Sequence, residues 1–158
     1  MKITFIAHSA FLVEWDKFYT LFDYVYEPDY TGTLPPLDPQ KPLLVFSSHS
    51  HEDHFDGKVF GLLEQYPLTQ FFVSRDTRLT ERRRKWLGIS DEAFARTTVL
   101  RPDSILLTEA AGEELSVRAI KSTDIGNAYL LRAEGKMVYH GGDLNWWHWE
   151  SEGKAYCN

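Results

Sequence analysis

The sequence predicts an α/β protein built from stacked layers of helices and sheets. Short segments rich in Ile, Phe, Val and Tyr fill the first 22 residues, and similar segments return after residue 97. Two segments of helical character, 56–66 and 76–87, lie between them. Strands, then helices, then strands again favour a layered sandwich over a doubly wound parallel sheet, in which the two element types would alternate.

The N-terminal third is predicted to be mostly β-structure. Strands are expected at Lys2–Ala7, Ala10–Trp15 and Phe18–Phe22, with the last two forming a hairpin. Residues Glu27–Pro42 contain five of the seven prolines, which predicts a surface loop with the alternative role of a flap. The apolar run Leu43–Phe46 then predicts a buried strand.

Helices and further strands are predicted in the rest of the chain. The apolar stripe of Asp56–Tyr66 predicts a helix that ends at Pro67. Asp76–Leu87 predicts a charged helix closed by Gly88, and Ser90 is placed to cap a short helix after it. A tight turn is expected at Glu134-Gly135. The remaining strands are predicted at Gln70–Val73, Thr98–Leu100, Ser104–Thr108, Leu115–Lys121, Ala128–Ala133 and Lys136–His140.

Length and charge limit the classes of function. With 158 residues the chain is expected to form one domain, 1–158, or a little more than half of a larger one. Its formal charge of −6 argues against binding to nucleic acid backbones. The basic run Arg82-Arg83-Arg84-Lys85 is interpreted as a solvated helix face, because it lies in a predicted helix beside Glu81.

The chain shows neither a signal peptide nor a membrane span. Its N-terminus enters strand-like sequence directly, and no run approaches the roughly 18 apolar residues that a span needs. Cys157 is the single cysteine, so no disulfide can form within the chain. A soluble protein of a reduced compartment, the cytoplasm, without a membrane partner is therefore expected.

The strongest functional signal is the segment His49-Ser50-His51-Glu52-Asp53-His54. It places four metal-ligand side chains within six residues, directly after a predicted buried strand. In extended chain, residues two apart point the same way, so His49 and His51 can hold one cation together. Asp53 and His54 lie beyond the turn and can reach a second cation. The alternative is a polar loop that happens to be rich in histidine.

A second signal is Gly141-Gly142-Asp143, which also follows an apolar strand. Glycines let the backbone approach its surroundings closely just before a carboxylate. That carboxylate could bridge two metals. The alternative is a turn in which Asp143 caps a helix over Leu144–Glu150.

Together these motifs resemble those of the metallo-β-lactamase superfamily of metal-dependent hydrolases. The first strands, with Ala7-His8-Ser9-Ala10 and Leu21-Phe22-Asp23, are similar to its branch of small lactonase-like hydrolases. Ser122-Thr123-Asp124-Ile125-Gly126 and His140-Gly141-Gly142-Asp143-Leu144-Asn145 are similar to the same branch. The resemblance implies a four-layer αββα sandwich with the metal site at one edge of the two sheets.

The resemblance also implies a ligand set and a chemistry. His49 and His51 would bind the first metal, Asp53 and His54 the second, and Asp143 both. The metals would activate a water and polarise a carbonyl or phosphoryl group. Asp53 is the candidate catalytic residue, because it could orient that water or accept its proton.

Two further residues are candidates for supporting roles around the ligands. Asp23, at the end of the third strand, could hydrogen-bond a ligating histidine, or be a polar strand end. His8 could point into the site or cap a turn.

One departure from the family concerns a third histidine for the first metal. Where the family has it, this chain has Lys121-Ser122-Thr123-Asp124. Asp124 is the nearest replacement ligand; Ser122 or Thr123 could instead hold a water, and His140 and His148 are other substitutes. Fewer nitrogen ligands would weaken the first site or favour a harder ion, such as manganese, over zinc.

The other departure concerns the C-terminus. Members of the superfamily usually continue with a strand–helix part that supplies a last histidine, and this chain is expected to lack it, as a natural short form or a truncated product. Such a lack would expose apolar sheet surface and favour either a homodimer or an unstable protein. Trp146, Trp147 and Trp149 could belong to that surface, form a wall beside the metals or pack under the fold.

The leading functional hypothesis is a hydrolase that binds one or two zinc ions, with manganese or iron as alternatives. Its substrate is expected to be a small-molecule ester, lactone or phosphodiester. The competing hypothesis is a degenerate or truncated relative that binds a metal or a partner without catalysis. A nuclease is disfavoured by the negative charge and the short chain.

Overall fold

The computed structural model of the chain describes residues 1–26, 28–30 and 32–144. Two β-sheets pack face to face, and the helices cover the outer face of the first. The six strands of the first sheet are β1 (Lys2–Ala7), β2 (Ala10–Glu14), β3 (Tyr19–Phe22), β4 (Leu43–Ser47), β5 (Thr69–Ser74) and β6 (Thr97–Leu100). The four strands of the second are β7 (Ile105–Ala110), β8 (Glu113–Lys121), β9 (Asn127–Ala133) and β10 (Lys136–His140).

The first sheet is mixed, with strands in the order β1 to β6. β1, β2 and β3 are antiparallel, which confirms the predicted hairpin between the second and third strands. From β3 to β6 the neighbours are parallel. All five residues of β4 are buried, as expected for a central parallel strand covered on both faces.

The second sheet is an antiparallel meander in the order β10-β9-β8-β7. The predicted turn between β9 and β10 is confirmed. Glu134 and Gly135 both have positive φ, 50° and 67°, as the two central residues of a tight hairpin turn require. On the outer face of this sheet Ile105, Leu107 and Met137 are exposed. Within the described ranges no helix covers that face. The described residues therefore form three of the four expected layers.

The two long helices predicted from the sequence are both interrupted. Residues 56–66 form a 3-10 helix, Gly57–Gly61, followed by the short helix α1 (Leu62–Gln65). Gly57 and Gly61, at the two ends of the 3-10 helix, lower the helix propensity of this segment. Only the position of this helical segment was predicted correctly.

Residues 76–87 are likewise not one helix. They begin in a 3-10 turn, Arg75–Thr77, and the chain then turns through Arg78 at φ 48°. Helix α2 (Glu81–Trp86) starts only after Thr80, whose hydroxyl accepts a hydrogen bond from the amide of Arg83. A left-handed residue cannot continue a right-handed helix, so α2 starts late. The predicted cap is confirmed at α3 (Asp91–Ala95), where Ser90 accepts a hydrogen bond from the Ala93 amide.

Two hydrophobic clusters hold the layers together. One lies between the sheets and contains Phe22, Phe46 and Phe72 from the first sheet with Val117 and Leu131 from the second. The other lies between the first sheet and the helices. Phe46 stacks on Phe22 at 5.3 Å and on Phe72 at 4.7 Å between ring centroids, so the aromatic side chains fix the register of three neighbouring strands.

The fold gathers several loops at one edge. The carboxyl ends of β3 and β4 meet there because the strands are parallel, and the β1–β2 turn joins them because Phe11 pairs with Phe22. The second sheet is attached at the same place, since the Asn127 amide donates to the Ser48 carbonyl at 2.9 Å. The described part of the chain contains no helix with the length and apolarity of a membrane span.

Candidate metal centre

The predicted site residues converge on this edge. Asp23 follows β3, the segment from Ser48 to His54 follows β4, and Asp143 follows β10. His8 lies in the β1–β2 turn, and Asp124 lies in the β8–β9 loop. Their metal-binding atoms fall into two groups, within each of which all ligand atoms lie within 4.8 Å of one another.

The first group consists of His49, His51, Asp124 and Asp143. The His49 Nε2 atom lies 3.0 Å from Nδ1 of His51, as expected for two residues whose side chains point the same way. The same Nε2 atom is 3.5 Å from Oδ2 of Asp143, and His51 Nδ1 is 3.8 Å from Oδ2 of Asp124. Asp124, the predicted replacement ligand, thus lies beside the histidine pair.

The second group consists of His8, Asp53 and His54. The His8 Nε2 atom is 3.0 Å from Oδ2 of Asp53, and His54 Nε2 is 3.4 Å from the same oxygen. His8 therefore points into the site, which is one of the two alternatives that the sequence left open, and offers a donor atom of its own. Tyr30, from the proline-rich loop, lies against the His8 ring at 4.9 Å between centroids.

Asp143 lies between the two groups. One of its carboxylate oxygens, Oδ1, is 3.2 Å from Nε2 of His54, and the other faces His49. A carboxylate in this position can contribute one oxygen to each of two cations. The arrangement is the one a bridging ligand needs.

The hydrogen bonds of His54 prepare this residue for a cation. Its Nδ1 atom donates to Oδ2 of Asp23 at 2.8 Å, so in the neutral ring the lone pair is on the Nε2 atom. That Nε2 atom is buried and makes no hydrogen bond, although oxygens of Asp53 and Asp143 lie 3.4 and 3.2 Å away. Three acceptors pointing at one another repel unless a cation or a proton lies between them. The donor set therefore fits a metal ion.

Asp23 is fully buried behind the ligands and accepts hydrogen bonds from three residues. Its Oδ1 atom accepts from the Ser48 amide at 2.7 Å, and its Oδ2 atom accepts from the Ser48 hydroxyl, His54 and His140 at 2.7, 2.8 and 2.7 Å. Burial by itself would raise the pKa of Asp23, but His140 and His54 together hold that pKa well below its usual range. Asp23 is thus ionised and fixes the orientation of the His54 ring through this hydrogen bond.

The same network sets the proton on His49. The Ser48 hydroxyl gives its single proton to Asp23, so it must accept from Nδ1 of His49, which lies 2.9 Å away. The His49 Nε2 atom then carries a lone pair directed at the first group. Burial and the neighbouring His54 lower the pKa of His49, which favours the neutral form that binds metals.

In the second group the pKa of the buried histidine shifts in the opposite direction from that of His49. Burial would lower the pKa of His54, but the hydrogen bond and charge of Asp23, with Asp143 and Asp53, raise it. Burial would raise the pKa of Asp53, but His54 and the hydrogen bond from His8 lower it. The carboxylates thus create a negative potential, which attracts a cation.

Two glycines let the loops reach the centre. Gly126 has φ 75°, and a Cβ there would overlap the Ser48 carbonyl oxygen and the His49 side chain. Gly142 has φ 52°, and a Cβ there would lie 2.8 Å from the Ser48 side chain. The close approach predicted for Gly141-Gly142 is confirmed at Gly142, while Gly141 has ordinary space around it.

The other substitutes for the missing histidine have different outcomes. His140 faces Asp23 and is taken up by that hydrogen bond. Ser122 accepts a hydrogen bond from the Asp124 amide at 3.3 Å and so shapes the loop. His148 and the three tryptophans Trp146, Trp147 and Trp149 lie outside the described residues, as do the segment Asn145–Glu150 and Cys157.

Sequence reasoning missed Ser48, Asp76 and the role of His140. Asp76 accepts a hydrogen bond from the Ser50 amide at 2.8 Å and holds the backbone between His49 and His51. It lies 26 residues from Ser50, so no local pattern connects them. A serine directly before the histidine segment was visible, but its bonding partners depend on the fold.

A family model described as the β-lactamase superfamily domain matches residues 2–153. This match spans almost the whole chain and includes every residue of the two donor groups. The chain belongs to the metallo-β-lactamase superfamily. The predicted family and the predicted sandwich fold are therefore confirmed.

Among curated relatives, this superfamily member is similar to a UPF0173 metal-dependent hydrolase of Opitutus terrae. The two are 29% identical over 153 residues, which cover 90% of this chain and 63% of the relative. The chain thus spans less than two thirds of the length of that relative. The match supports membership of a group of metal-dependent hydrolases.

Solved structures show the same fold. One is Igni18, a metallo hydrolase from the archaeon Ignicoccus hospitalis, with a TM-score of 0.58 and 22% sequence identity. The alignment covers 89% of this chain and 59% of the Igni18 chain. Another is CmlA, a diiron β-hydroxylase from Streptomyces venezuelae, with a TM-score of 0.57 and 14% sequence identity. The alignment covers 90% of this chain and 29% of the CmlA chain. At these identities the likeness concerns the fold alone.

Proposed function

We propose that this superfamily member hydrolyses a small-molecule ester, lactone or phosphodiester at a centre of two metal ions. The observation that carries the proposal is the buried Nε2 atom of His54, which makes no hydrogen bond and faces carboxylate oxygens of Asp53 and Asp143, the residue that connects the two donor groups. Such an atom costs free energy unless a cation occupies the space in front of it.

Each group has a separate role in this proposal. His49, His51, Asp124 and Asp143 hold one metal, and His8, Asp53 and His54 hold the other with Asp143. Bound divalent metals supply an activated water and polarise the carbonyl or phosphoryl group under attack.

Three groups assist the bound reactants. The ionised carboxylate of Asp53, which lies 3.0 Å from His8 and is partly exposed, orients the attacking water and accepts its proton. Asp23 keeps His54 in the tautomer whose lone pair faces the site. The proline-rich loop contacts the His8 ring through Tyr30 and so helps to position that side chain, which stays 41% exposed.

Zinc is the proposed metal, with manganese or iron as the alternatives. The first group offers two nitrogens and two carboxylates, a harder set than three histidines would be. The diiron content of CmlA shows that this fold can hold iron in another protein. We propose a cytoplasmic protein that acts on a small molecule, binds neither nucleic acid nor membrane, and has a homodimer as its candidate assembly.

The test combines metal content with turnover. We expect His51→Ala to lower metal content from about two ions per chain toward one and to reduce hydrolysis by at least a factor of roughly 100, because it removes a nitrogen ligand. Glu52→Ala is the matched control, since Glu52 is the exposed neighbour of His51 in the same loop. If the metal-loaded protein turns over none of a broad ester, lactone and phosphodiester panel, the enzymatic proposal fails.

A non-catalytic relative that binds a metal or a partner is the second candidate. It is favoured by the weaker ligand at the position of the absent histidine, where the Asp124 carboxylate is 3.8 Å from His51 and 41% exposed. Elemental analysis that finds no stoichiometric metal, together with a stable dimer in sedimentation, would support it. Rapid hydrolysis that depends on His51 would rule it out.

A further inference from the structure

A groove beside the metal centre carries an unusual concentration of arginine. It has a volume of about 710 Å³ and is lined by Arg75, Arg78 and Arg83 together with Ser50, Asp76 and Gly126. None of the three guanidinium groups makes an ion pair within the described ranges. Three unpaired cations on one concave surface are unexpected in a chain with a net charge of −6.

Arg83 is the most informative of the three. It belongs to the basic run of α2, yet its side chain is half-buried and its Nε atom is buried without a hydrogen-bond partner. The next residue, Arg84, by contrast pairs with Glu81 and Asp91. The basic run is therefore not a uniform solvated face, because Arg83 lines the groove with an unsatisfied donor.

The groove adjoins the metal centre through two short connections. Ser50 lines the groove and stands between His49 and His51 in the chain. Ile125 and Gly126 line it from the other side and directly follow Asp124. Residues of the groove wall are therefore direct chain neighbours of His49, His51 and Asp124, which places the groove beside the first donor group.

One carboxylate, Asp76, also lines the groove and has to be weighed against the arginines. Its Oδ2 atom accepts the hydrogen bond from the Ser50 amide, and its Oδ1 atom is buried without a partner. Against this single negative charge stand three guanidinium groups, so the groove remains positive. Pro102 and Ile125 add apolar surface beside the charges.

We propose that this groove binds an anionic group, a carboxylate or a phosphate, that belongs to the substrate hydrolysed at the metal centre. Guanidinium groups match the planar carboxylate and the phosphate with paired hydrogen bonds, and an unsatisfied buried donor such as Arg83 Nε gains most from one. This inference rests on the proposed hydrolase function for its substrate, but the anion site itself can be tested without turnover.

The first experiment measures anion binding by the metal-loaded protein with inorganic phosphate and with acetate as probes. Arg83→Gln is expected to weaken binding of the preferred probe roughly tenfold or more, because it removes a charged donor. Arg82→Gln is the matched control, since it removes the same charge from the exposed neighbour on the same helix. Both variants keep every metal-binding residue, so anions bound to the metals affect them equally.

The second experiment measures kcat/KM for two esters that differ only in a remote carboxylate. Arg83→Gln is expected to lower kcat/KM roughly tenfold or more for the anionic ester and to leave the neutral ester unchanged, while Arg82→Gln changes neither. Arg75→Gln tests a second wall of the groove if Arg83→Gln fails to fold.

The outcomes separate this inference from the proposed function. Equal anion binding by the wild-type protein and the variants Arg83→Gln, Arg75→Gln and Arg82→Gln would overturn the proposed anion site, whatever the hydrolytic activity. Hydrolysis that favours the neutral ester, or that loses both esters equally in Arg83→Gln, would overturn it too. Loss of anion binding in Arg83→Gln in a protein without any turnover would support the groove while the hydrolase proposal fails.

Discussion

The Nδ1 atom of His54 donates a 2.8 Å hydrogen bond to Asp23, while the Nε2 atom of the same ring faces Asp143 at 3.2 Å. One side of the imidazole is thus fixed by a buried carboxylate, and the other is held open toward the candidate metal centre. This relationship connects the hydrophobic core to the chemistry, because Asp23 lies directly after β3 between the two sheets.

The first prediction concerns Asp23→Asn. The amide keeps the shape of the side chain but removes the charge that His54 and His140 face. We expect about 10- to 100-fold weaker metal binding. The free energy of unfolding should fall by about 3 kcal/mol, because buried donors lose their charged partner.

Competition titration with a chelator and urea unfolding measure these two effects. Asp103→Asn is the control, because Asp103 is exposed and its positive φ of 60° suits asparagine. Unchanged metal affinity in Asp23→Asn would contradict the role assigned to this carboxylate.

The second prediction concerns His8→Gly. His8 has φ 47°, a conformation that glycine adopts without strain, so the metal-free protein should unfold within about 1 kcal/mol of wild type. The metal-loaded protein should lose one of its two ions, because the second group keeps only Asp53 and His54 beside Asp143.

Elemental analysis after gel filtration counts the ions, and thermal unfolding with and without chelator separates the two states. Ser9→Gly, in the same turn, is the matched control. Two tightly bound ions in His8→Gly would show that His8 is not a ligand.

The third prediction compares glycines of similar backbone conformation. Gly126→Ala should lower the free energy of unfolding by about 3 kcal/mol, because its Cβ would meet the Ser48 backbone as well as adopting a strained φ. Gly112→Ala, with φ 73° and open space around it, should cost only about 1 kcal/mol.

Urea unfolding measures both variants, and metal titration should show a loss for Gly126→Ala alone, since that loop carries Asp124. Equal destabilisation by the two substitutions would mean that the approach of this loop to Ser48 does not matter.

The fourth prediction concerns the core. Phe46 is fully buried and stacks on two other rings, so Phe46→Ala should destabilise the protein by about 4 kcal/mol. Trp86→Ala should change stability by less than about 0.5 kcal/mol, because Trp86 is 81% exposed. Denaturant titration of both variants tests whether the sheet interface, rather than aromatic content, carries the stability.

Most strands were predictable because each depends on local composition. Lys2–Ala7 and Lys136–His140 agree with the structure at both ends, since polar or turn residues bound each of them. The helices were less predictable. Arg78 adopts a left-handed backbone conformation, and Asp76 accepts a hydrogen bond from the Ser50 amide. The helical pattern of residues 76–87 indicates neither of these features.

The sequence by itself indicated the layered fold and the candidate ligands in His49–His54 and Asp143, because these depend on residue type and on spacing within short motifs. The resemblance of those motifs to the superfamily was confirmed by the family model. Only the tertiary structure decided which donors meet. It brought His8 to Asp53 and Asp124 to His51 across separations that no local pattern spans. It also placed the Arg83 side chain in the wall of a groove beside the candidate metal centre. Contacts of this kind depend on the packing of the two sheets, which sets the distances between loops far apart in the chain.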